Sequence, residues 1–272
     1  MVDASNLSLN TATVREQWNL EQCVEGCLRH GFGGIAPWRD KIHEIGIERA
    51  ARLVSDSGLK VSGLCRGGWF TSEGKITDAV LDDNKRAVDE AVALNAECLV
   101  MVVGGIADGS KDLPHARQLV SEGLAKTLDY ARSQKMPVAI EPLHPMYAAD
   151  RACINTLRQA LDVCDELGDG IGVAADVYHI WWDPELADQI KRAGKSRLLA
   201  YHICDWLVPT SDMLTDRGMM GDGVIDIAAI RKMVEAEGFC GLNEVEIFSA
   251  NNWWKRDADE VMRTIVDRAR DC

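Results

Sequence analysis

Short apolar segments alternate with longer segments of helical hydrophobic periodicity along the whole chain. Many of the apolar segments contain β-branched residues and are flanked by glycine, proline or polar residues, which predicts strands. The predicted strands cover residues 6–12, 33–38, 60–66, 97–104, 137–143, 171–178, 197–204 and 242–248. The helical patterns that follow them cover about 18–30, 46–58, 80–95, 112–134, 154–167, 184–193, 226–237 and 257–270. The chain is therefore predicted to be a series of eight strand–helix units.

Eight such units without a linker or a low-complexity tract are typical of a single (β/α)8 TIM barrel, an α/β fold predicted to span residues 1–272. A doubly wound open sheet is the alternative. That fold usually has a glycine-rich turn after its first strand, and the segment NLSLNTATV contains no glycine. We therefore expect the barrel, in which the carboxyl ends of the strands surround the functional site.

The charge and cysteine content of the chain indicate which partners and which cellular compartment to expect. The chain has 30 basic and 43 acidic residues, and this formal charge of −13 disfavours nucleic acid and anionic membrane surfaces as partners. The segment MVDASNLSLN lacks the features of a secretory signal, and no apolar run approaches the length of a membrane span. Nine cysteines without a C-x-x-C pair indicate free thiols in the cytoplasm. A homo-oligomer is compatible with the fold, although the sequence shows no exposed apolar stripe for it.

Polar side chains follow the last four predicted strands. Glu141, Asp176, His202 and Glu246 come at these strand ends in chain order, and a closed barrel directs such ends to one axis. Three carboxylates placed together repel one another unless a cation binds them. The ligand set suits one divalent metal ion, Mn²⁺ or Mg²⁺ foremost, with Co²⁺ and Zn²⁺ as alternatives. The competing interpretation is that acidic residues at strand ends cap the following helices.

Tryptophan is concentrated in the predicted strand-to-helix loops, which contain seven of the eight residues. Aromatic rings around a polar centre are typical of carbohydrate sites, because rings stack on C–H faces while polar groups bind hydroxyls. The residues predicted to contact substrate at this mouth are Trp38, Arg66, Trp69, Trp182 and Trp206. The competing interpretation is that the rings anchor long loops. Few other basic residues than Arg39 and Arg217 lie near the mouth, which favours an unphosphorylated sugar, keto sugar or cyclitol.

Several motifs after residue 137 carry a resemblance. Glu141 lies in AIEPLHP, and Asp176 begins a D-x-x-H motif in ADVYHIWWD. His202 lies in YHICD, Arg217 in DRGMMGDGVID and Glu246 in GFCGLNEVEI. In this order the motifs resemble the xylose isomerase-like TIM barrels described as sugar phosphate isomerases and epimerases. The resemblance spans the whole chain.

The resemblance implies roles for these positions. The four strand-end residues would hold one divalent metal ion, and His179 and Arg217 would contact substrate oxygens. It also selects Glu246 over Glu244 as the ligand, because the family's glutamate lies eight residues after the first glycine of a G-[YF]-x-G turn, here Gly238.

The segment EPLHPMYAADR departs from the ketose 3-epimerases of the superfamily. Those enzymes usually continue past the first glutamate with an asparagine-rich stretch and a further acidic residue. Here an E-x-x-H pair instead adds His144 as a predicted substrate contact. Assignment to the free-ketose 3-epimerases therefore does not follow from the resemblance.

These residues suit proton transfer next to a carbonyl group. A metal that chelates a carbonyl oxygen and the neighbouring hydroxyl stabilises an enediolate, and we expect Glu141 and Glu246 to act as the acid/base pair. We predict a metal-dependent sugar isomerase or epimerase acting on a small-molecule carbohydrate. The alternative is a dehydratase or lyase acting on an inosose or 3-keto sugar. A metallohydrolase and a non-catalytic sugar-binding barrel are further alternatives, and the six histidines and acidic charge argue against a nuclease-like metal cluster.

Overall fold

The structure, a computed structural model, describes residues 2–272. Its strands are β1 (Leu7–Asn10), β2 (Gly34–Ala36), β3 (Lys60–Val61), β4 (Leu64–Gly68), β5 (Leu99–Val102), β6 (Val138–Ile140), β7 (Ile171–Asp176), β8 (Leu198–Ile203), β9 (Asp205–Trp206), β10 (Arg217–Gly218) and β11 (Asn243–Val245). Nine of the strands in this described part form one parallel sheet in the order β3-β2-β1-β11-β8-β7-β6-β5-β4. The other two, β9 and β10, pair antiparallel in a small hairpin.

The sheet closes through the third predicted strand, which is divided into β3 and β4. β3 pairs with β2 and β4 pairs with β5, while only Ser62 and Gly63 separate the two halves. The two ends of the sheet order are therefore consecutive in the chain, and an isolated backbone bridge joins Trp38 to Cys65 across the gap. The predicted α/β TIM barrel is confirmed as a nearly closed barrel.

Helices surround this barrel. In the described part of the chain they are α1 (Leu20–His30), α2 (Arg39–Ile45), α3 (Ile47–Ser57), α4 (Asp78–Ala93), α5 (Leu113–Ser133), α6 (Leu157–Leu167), α7 (Val177–Ile180), α8 (Leu186–Arg197), α9 (Ile227–Ala236) and α10 (Ala258–Ala269). All eight predicted helices are present. The structure adds the short helix α7 and a helix, α2, before the second predicted helix, where Gly46 with φ of 83° separates α2 from α3. No helix within residues 2–272 has the length and apolar character needed to cross a membrane.

Local sequence signals explain where the helices begin and end. The side chain of Asn19 accepts the backbone N–H of Gln22, and the Gln22 side chain accepts the backbone N–H of Asn19, which forms a capping box before α1. The same helix ends at Gly31, whose φ of 76° lies in the left-handed region that favours glycine. Asp226, the N-cap of α9, accepts the backbone N–H of Ala229 at 2.9 Å.

The barrel interior is narrow and filled by small side chains. A buried cluster inside it consists of Cys98, Val100, Ala139, Ala174 and Ala200. A second, much larger apolar cluster lies between the barrel and the helices. Because alternate residues of a strand face the same side, the residues two positions beyond the three alanines face the barrel axis at its carboxyl end.

Candidate metal centre and active site

The inward-facing layer above the interior alanines contains the predicted site. Glu141 follows β6, Asp176 ends β7 and His202 lies in β8, two residues after Ala139, Ala174 and Ala200 respectively. Asp176 and His202 are direct register partners across β7 and β8. The strand period that the sequence displays therefore suffices to direct these side chains toward one point.

Four side chains meet at that point. Glu141, Asp176, His202 and Glu246 are buried, and one potential ligand atom of each lies within 4.8 Å of the corresponding atoms of the other three. Nδ1 of His202 lies 3.0 Å from Oε1 of Glu141. The structure thus brings together all four residues predicted as metal ligands.

The residues fit a divalent cation by charge and by donor type. Glu141, Asp176, Glu244 and Glu246 are all buried, and Arg217 is the one buried guanidinium that pairs with any of them among residues 2–272. The four carboxylates outnumber the positive charges that Arg217 and His202 can supply, and such an excess of buried negative charge is costly without a further cation. Carboxylate oxygens with one imidazole nitrogen suit several divalent ions.

Arg217 supplies a fixed positive charge at the edge of the four-residue cluster. Its Nη1 donates to Oδ2 of Asp176 at 3.1 Å and to Oε2 of Glu246 at 3.0 Å. The guanidinium carbon lies 4.4 Å from the centre of the Tyr178 ring. Burial opposes the charged form, but Asp176 and its neighbours outweigh it and raise the pKa of Arg217 well above its ordinary value.

His179 reaches the same region because the D-x-x-H motif forms the turn of α7. Asp176 accepts the backbone N–H of Tyr178 at 2.8 Å as the N-cap of this helix. Nδ1 of His179 accepts the backbone N–H of His144 at 3.2 Å, and burial lowers the pKa of His179 to about 3. The imidazole is therefore neutral and carries one proton, and its Nε2 lies 3.3 Å from Nη2 of Arg217 and 3.6 Å from Oδ2 of Asp176.

Glu246 has the proton affinity of an acid/base group. Burial raises its pKa to about 8 even though Arg217 opposes the shift, and the carboxylate of Glu141 raises it further. A bound cation would lower this value by stabilising the charged form. A carboxyl group whose pKa lies between about 8 without the cation and a lower value with it suits proton transfer near neutral pH.

Asn10 and Glu244 support the site from outside the four-residue cluster. The Asn10 Nδ2 donates to Oε1 of Glu244 at 2.8 Å and to Oε1 of Glu246 at 3.0 Å, and its Oδ1 accepts the indole N–H of Trp38 at 2.8 Å. Oε1 of Glu244 lies 3.5 Å from Nε2 of His202, on the other side of the imidazole from Glu141. No sequence motif predicts a role for Asn10, although its place at the carboxyl end of β1 is a signal for one.

An open cavity adjoins the cluster. The lining residues that the sequence predicts for the site are Trp38, Arg66, Glu141, His179, Arg217 and Glu246. The lining residues that it does not predict include Leu143, Tyr147, Arg151, Leu214 and Phe248. Trp38 and Phe248 pack edge to face with ring centres 5.5 Å apart, so part of the wall is aromatic.

Four of the predicted substrate contacts are not among the lining residues. His144 packs against Trp182 and Trp206, with ring centres 5.5 and 5.0 Å apart. Trp69 borders a neighbouring hollow that shares Trp38 and Arg66 with the cavity. These rings pack on other loop side chains instead of lining the cavity, and their contact with substrate stays a prediction.

Comparisons with known proteins add independent findings. The family model of the xylose isomerase-like TIM barrel matches residues 24–267. The inosose isomerase of Bacillus velezensis is 25% identical over 268 residues, which cover 95% of this chain and 93% of that protein.

Two solved structures are also similar. A protein from Sinorhizobium meliloti 1021 is 60% identical, with a TM-score of 0.95 over 99% of this chain and 98% of its own. The IOLI protein, solved with a bound zinc atom, is 21% identical, with a TM-score of 0.82 over 98% of this chain and 97% of its own. At that identity the second likeness shows the fold alone.

Proposed function

We propose, from the premise that the chain belongs to the xylose isomerase-like TIM barrel family, that it converts a keto sugar or related polyol through an enediolate with the help of a divalent metal ion. The chain is an enzyme of the sugar isomerase or epimerase class, which is the class of the inosose isomerase it resembles. The observation that carries the proposal is the group of four ligand atoms within 4.8 Å of one another, beside a cavity lined by Glu141 and Glu246.

The metal would be held by Glu141, Asp176, His202 and Glu246. The zinc atom bound to the IOLI protein supports a divalent ion in this fold. We propose Mn²⁺ or Mg²⁺, with Co²⁺ and Zn²⁺ as alternatives, because oxygen atoms predominate among the ligands. When bound, such an ion supplies a Lewis acid that binds neighbouring substrate oxygens and acidifies the C–H bond between them.

Glu141 and Glu246 would move the proton. They follow β6 and β11, with β7 and β8 between those strands in the sheet, so they approach the cavity from different sides. One glutamate, as the carboxylate, removes the proton from the carbon beside the carbonyl, and the other, as the carboxylic acid, donates its own proton to the enediolate. Protonation of the opposite face of that carbon is epimerisation, whereas protonation of the adjacent carbon is aldose–ketose isomerisation.

The other lining residues would bind and orient the substrate. The neutral His179 and the charged Arg217 offer hydrogen-bond donors to carbonyl and hydroxyl oxygens. The ring of Trp38, with Phe248 at its edge, offers an apolar face for the C–H groups of a sugar. This division between polar and aromatic walls is typical of carbohydrate sites.

The cellular setting is also part of the proposal. All nine cysteines carry free thiols and seven of them are buried, which supports the reducing conditions of the cytoplasm. The charge of −13 argues against nucleic acid and anionic membrane surfaces as partners. Assembly into a homo-oligomer stays a prediction.

The test is proton NMR in D₂O with Mn²⁺ and a panel of ketoses, keto-glycosides and inososes. We expect deuterium to enter a carbon next to the carbonyl, EDTA to abolish the exchange and Mn²⁺ to restore it. Glu246→Gln should slow turnover by roughly 10²–10⁴-fold, because an amide cannot accept the proton. Glu25→Gln, at an exposed position on α1, is the matched control and should leave turnover unchanged.

The outcome also separates the alternatives. A sugar-binding protein would keep its affinity in Glu246→Gln and show no exchange in either form. A dehydratase would exchange the same proton but release water and form an unsaturated product. Absence of exchange across the panel, despite tight binding of Mn²⁺, would overturn the proposed chemistry.

A further inference from the structure

One cation in the cavity wall has no anionic partner. Arg66, in β4, lines the cavity and is partly buried. Its guanidinium makes no hydrogen bond and no ion pair with any residue from 2 to 272. It lies over two aromatic rings, and the carboxylate of Glu141 favours its charge only from beyond ion-pair distance. A partly buried guanidinium that forms no ion pair is costly. We therefore expect a bound ligand to supply the anionic group that pairs with it.

The neighbouring arginines differ from Arg66 in this respect. Arg217 pairs with Asp176 and Glu246 inside the cluster. Arg39 pairs with Asp83 and Glu90 at 3.0 and 2.6 Å, which directs it away from the cavity. The protein therefore neutralises these two guanidinium groups with its own carboxylates and leaves the third without one.

Aromatic rings hold the guanidinium of Arg66 in place. Its central carbon lies 4.6 Å from the ring centre of Trp69 and 5.9 Å from that of Trp38. Stacking fixes the plane of a guanidinium without using its N–H groups, which stay free for a ligand.

The backbone at Trp69 supports this arrangement. Its φ of 57° lies in the left-handed region, which is uncommon for a bulky side chain and is a feature often found at functional sites. The backbone N–H of Trp69 donates to the carbonyl oxygen of Val102 at 2.9 Å and holds this conformation. The left-handed turn thus accompanies the stacking of the indole on Arg66.

Arg151 is a further guanidinium that lines the same cavity. Arg151 has one ion pair among the described residues, at 3.6 Å to the exposed carboxylate of its chain neighbour Asp150. Burial lowers the pKa of Arg66, and the positive charge of Arg151 adds to this effect. An anion that contacts both groups would offset the burial of the Arg66 charge and the repulsion between the two guanidinium groups.

We propose that the substrate carries an anionic group, a carboxylate or a phosphate, that binds Arg66 with support from Arg151. This inference rests on the proposed function, because it describes the part of the same substrate that lies away from the carbonyl group. The buried carboxylates repel an anion, so the charged end is oriented toward Arg66 while the carbonyl end faces Glu141 and Glu246. The expectation of an uncharged sugar from the sequence rests on few basic residues at the mouth, and the sequence does not reveal that Arg151 joins Arg66 there.

The first test measures binding without turnover. Calorimetry compares a hexonate with the hexitol of the same configuration, in the presence of Mn²⁺, for the wild type, Arg66→Gln and Arg256→Gln. The control residue Arg256 also stacks on a tryptophan, Trp253, at 4.4 Å, but it pairs with Glu260 and lies outside the cavity lining. We expect the wild type and Arg256→Gln to bind the hexonate roughly tenfold or more tightly than the hexitol, and this preference to fall below about threefold in Arg66→Gln.

Two results would overturn the inference. One is equal affinity of the wild type for both compounds. The other is an unchanged preference in Arg66→Gln, which would mean that the carboxylate binds elsewhere, for example at the metal ion. Arg66→Lys keeps the charge but not the two-pronged donor geometry, so it should give an intermediate preference and provides a second variant if Arg66→Gln does not fold.

The second test uses the exchange reaction and separates the two anions. It compares a hexulose with its 6-carboxylate and its 6-phosphate through the kcat/KM for deuterium exchange. A gain with the carboxylate alone assigns a sugar acid, a gain with the phosphate alone assigns a sugar phosphate, and either gain should disappear in Arg66→Gln. Exchange that is equally fast with the neutral hexulose would overturn the inference and leave the proposed function intact. Absence of exchange with all three would count against the proposed function, and the calorimetric comparison would still decide the role of Arg66.

Discussion

Glu244 lies outside the ligand cluster but contacts one of its members, His202. Its Oε2 accepts the hydroxyl of Ser62 at 2.7 Å and its Oε1 accepts Asn10 at 2.8 Å, so the carboxylate is fixed next to Nε2 of His202. Burial disfavours a charged imidazole, but Glu244 and Glu141 outweigh it and raise the pKa of His202 well above its ordinary value. Nε2 makes no hydrogen bond among the described residues, but the Glu244 carboxylate 3.5 Å away favours a proton on it, which would leave Nδ1, 3.0 Å from Glu141, as the nitrogen for a cation.

We therefore expect Glu244→Gln to weaken Mn²⁺ binding by roughly 10–100-fold, because the partners of ligating histidines have effects of this size. The measurement is a competition titration against a fluorescent chelator. Glu25→Gln, at an exposed site on α1, should bind Mn²⁺ like the wild type. Affinities of Glu244→Gln and wild type within threefold of each other would show that Glu244 does not position His202.

The sequence predicts the ligand residues of the site but not the residues that support them. Glu141, Asp176 and His202 were predictable because a period of two along each strand fixes the face on which a side chain lies. Glu246 was distinguished from Glu244 by the family motif, because the two share a face. The roles of Asn10 and Arg151 depend on which strands and loops become neighbours across the barrel mouth. The different positions of Glu244 and Glu246, which share a strand face, depend on depth along the barrel axis.

At the scale of elements, Asp205 organises the segment between β9 and α9. Its Oδ2 accepts the backbone N–H groups of Gly221 and Gly223 at 2.9 and 2.8 Å, and its Oδ1 accepts that of Ile225 at 3.0 Å. A Cβ atom on Gly223 would lie 2.1 Å from the carbonyl oxygen of Trp206, so this close approach requires glycine. The same segment contains Arg217, and Asp205 thereby fixes the loop that presents a site residue.

Asp205→Asn should destabilise the protein by roughly 2–3 kcal/mol, because an amide accepts these hydrogen bonds less strongly and its NH₂ group meets backbone donors. Denaturant unfolding measures the loss, and faster hydrogen exchange at Gly221 and Gly223 locates it. Asp226→Asn is the matched control, since asparagine caps a helix about as well as aspartate, and its effect should be within about 0.5 kcal/mol. Equal stabilities of the two variants would contradict this role of Asp205.

The regular strands and helices can be predicted from hydrophobic periodicity and capping residues. The points at which these elements are interrupted cannot. The sequence predicts one strand over 60–66, whereas the structure divides it at Ser62 and Gly63, where the two halves pair with different neighbours. The short helix α7 escapes prediction because the apolar run 171–178 continues the pattern of a strand. There the capping bond from Asp176 to the backbone of Tyr178 overrides strand propensity.

At the scale of the whole molecule, closure of the barrel concentrates negative charge. It brings β6, β7, β8 and β11 side by side in the sheet, and the four ligand residues lie at the ends of these strands. The free energy that drives closure is the burial of apolar surface between sheet and helices, and it is distributed over a core much larger than the site. The folded protein therefore tolerates repulsion among these carboxylates, and a bound cation would remove that repulsion.

Binding of a divalent cation should accordingly stabilise the whole fold. At a free Mn²⁺ concentration of 100 Kd the gain is about 2.7 kcal/mol, which corresponds to a rise in Tm of roughly 5–10 °C for a domain of this size. Differential scanning calorimetry in EDTA and in Mn²⁺ measures the rise. Asp176→Asn should lose most of it at the same Mn²⁺ concentration, since asparagine preserves the capping bond to Tyr178 but is a neutral, weaker ligand. Asp56→Asn, at an exposed position in α3, should retain the full rise, so a rise in Asp176→Asn as large as in this control would place the cation elsewhere.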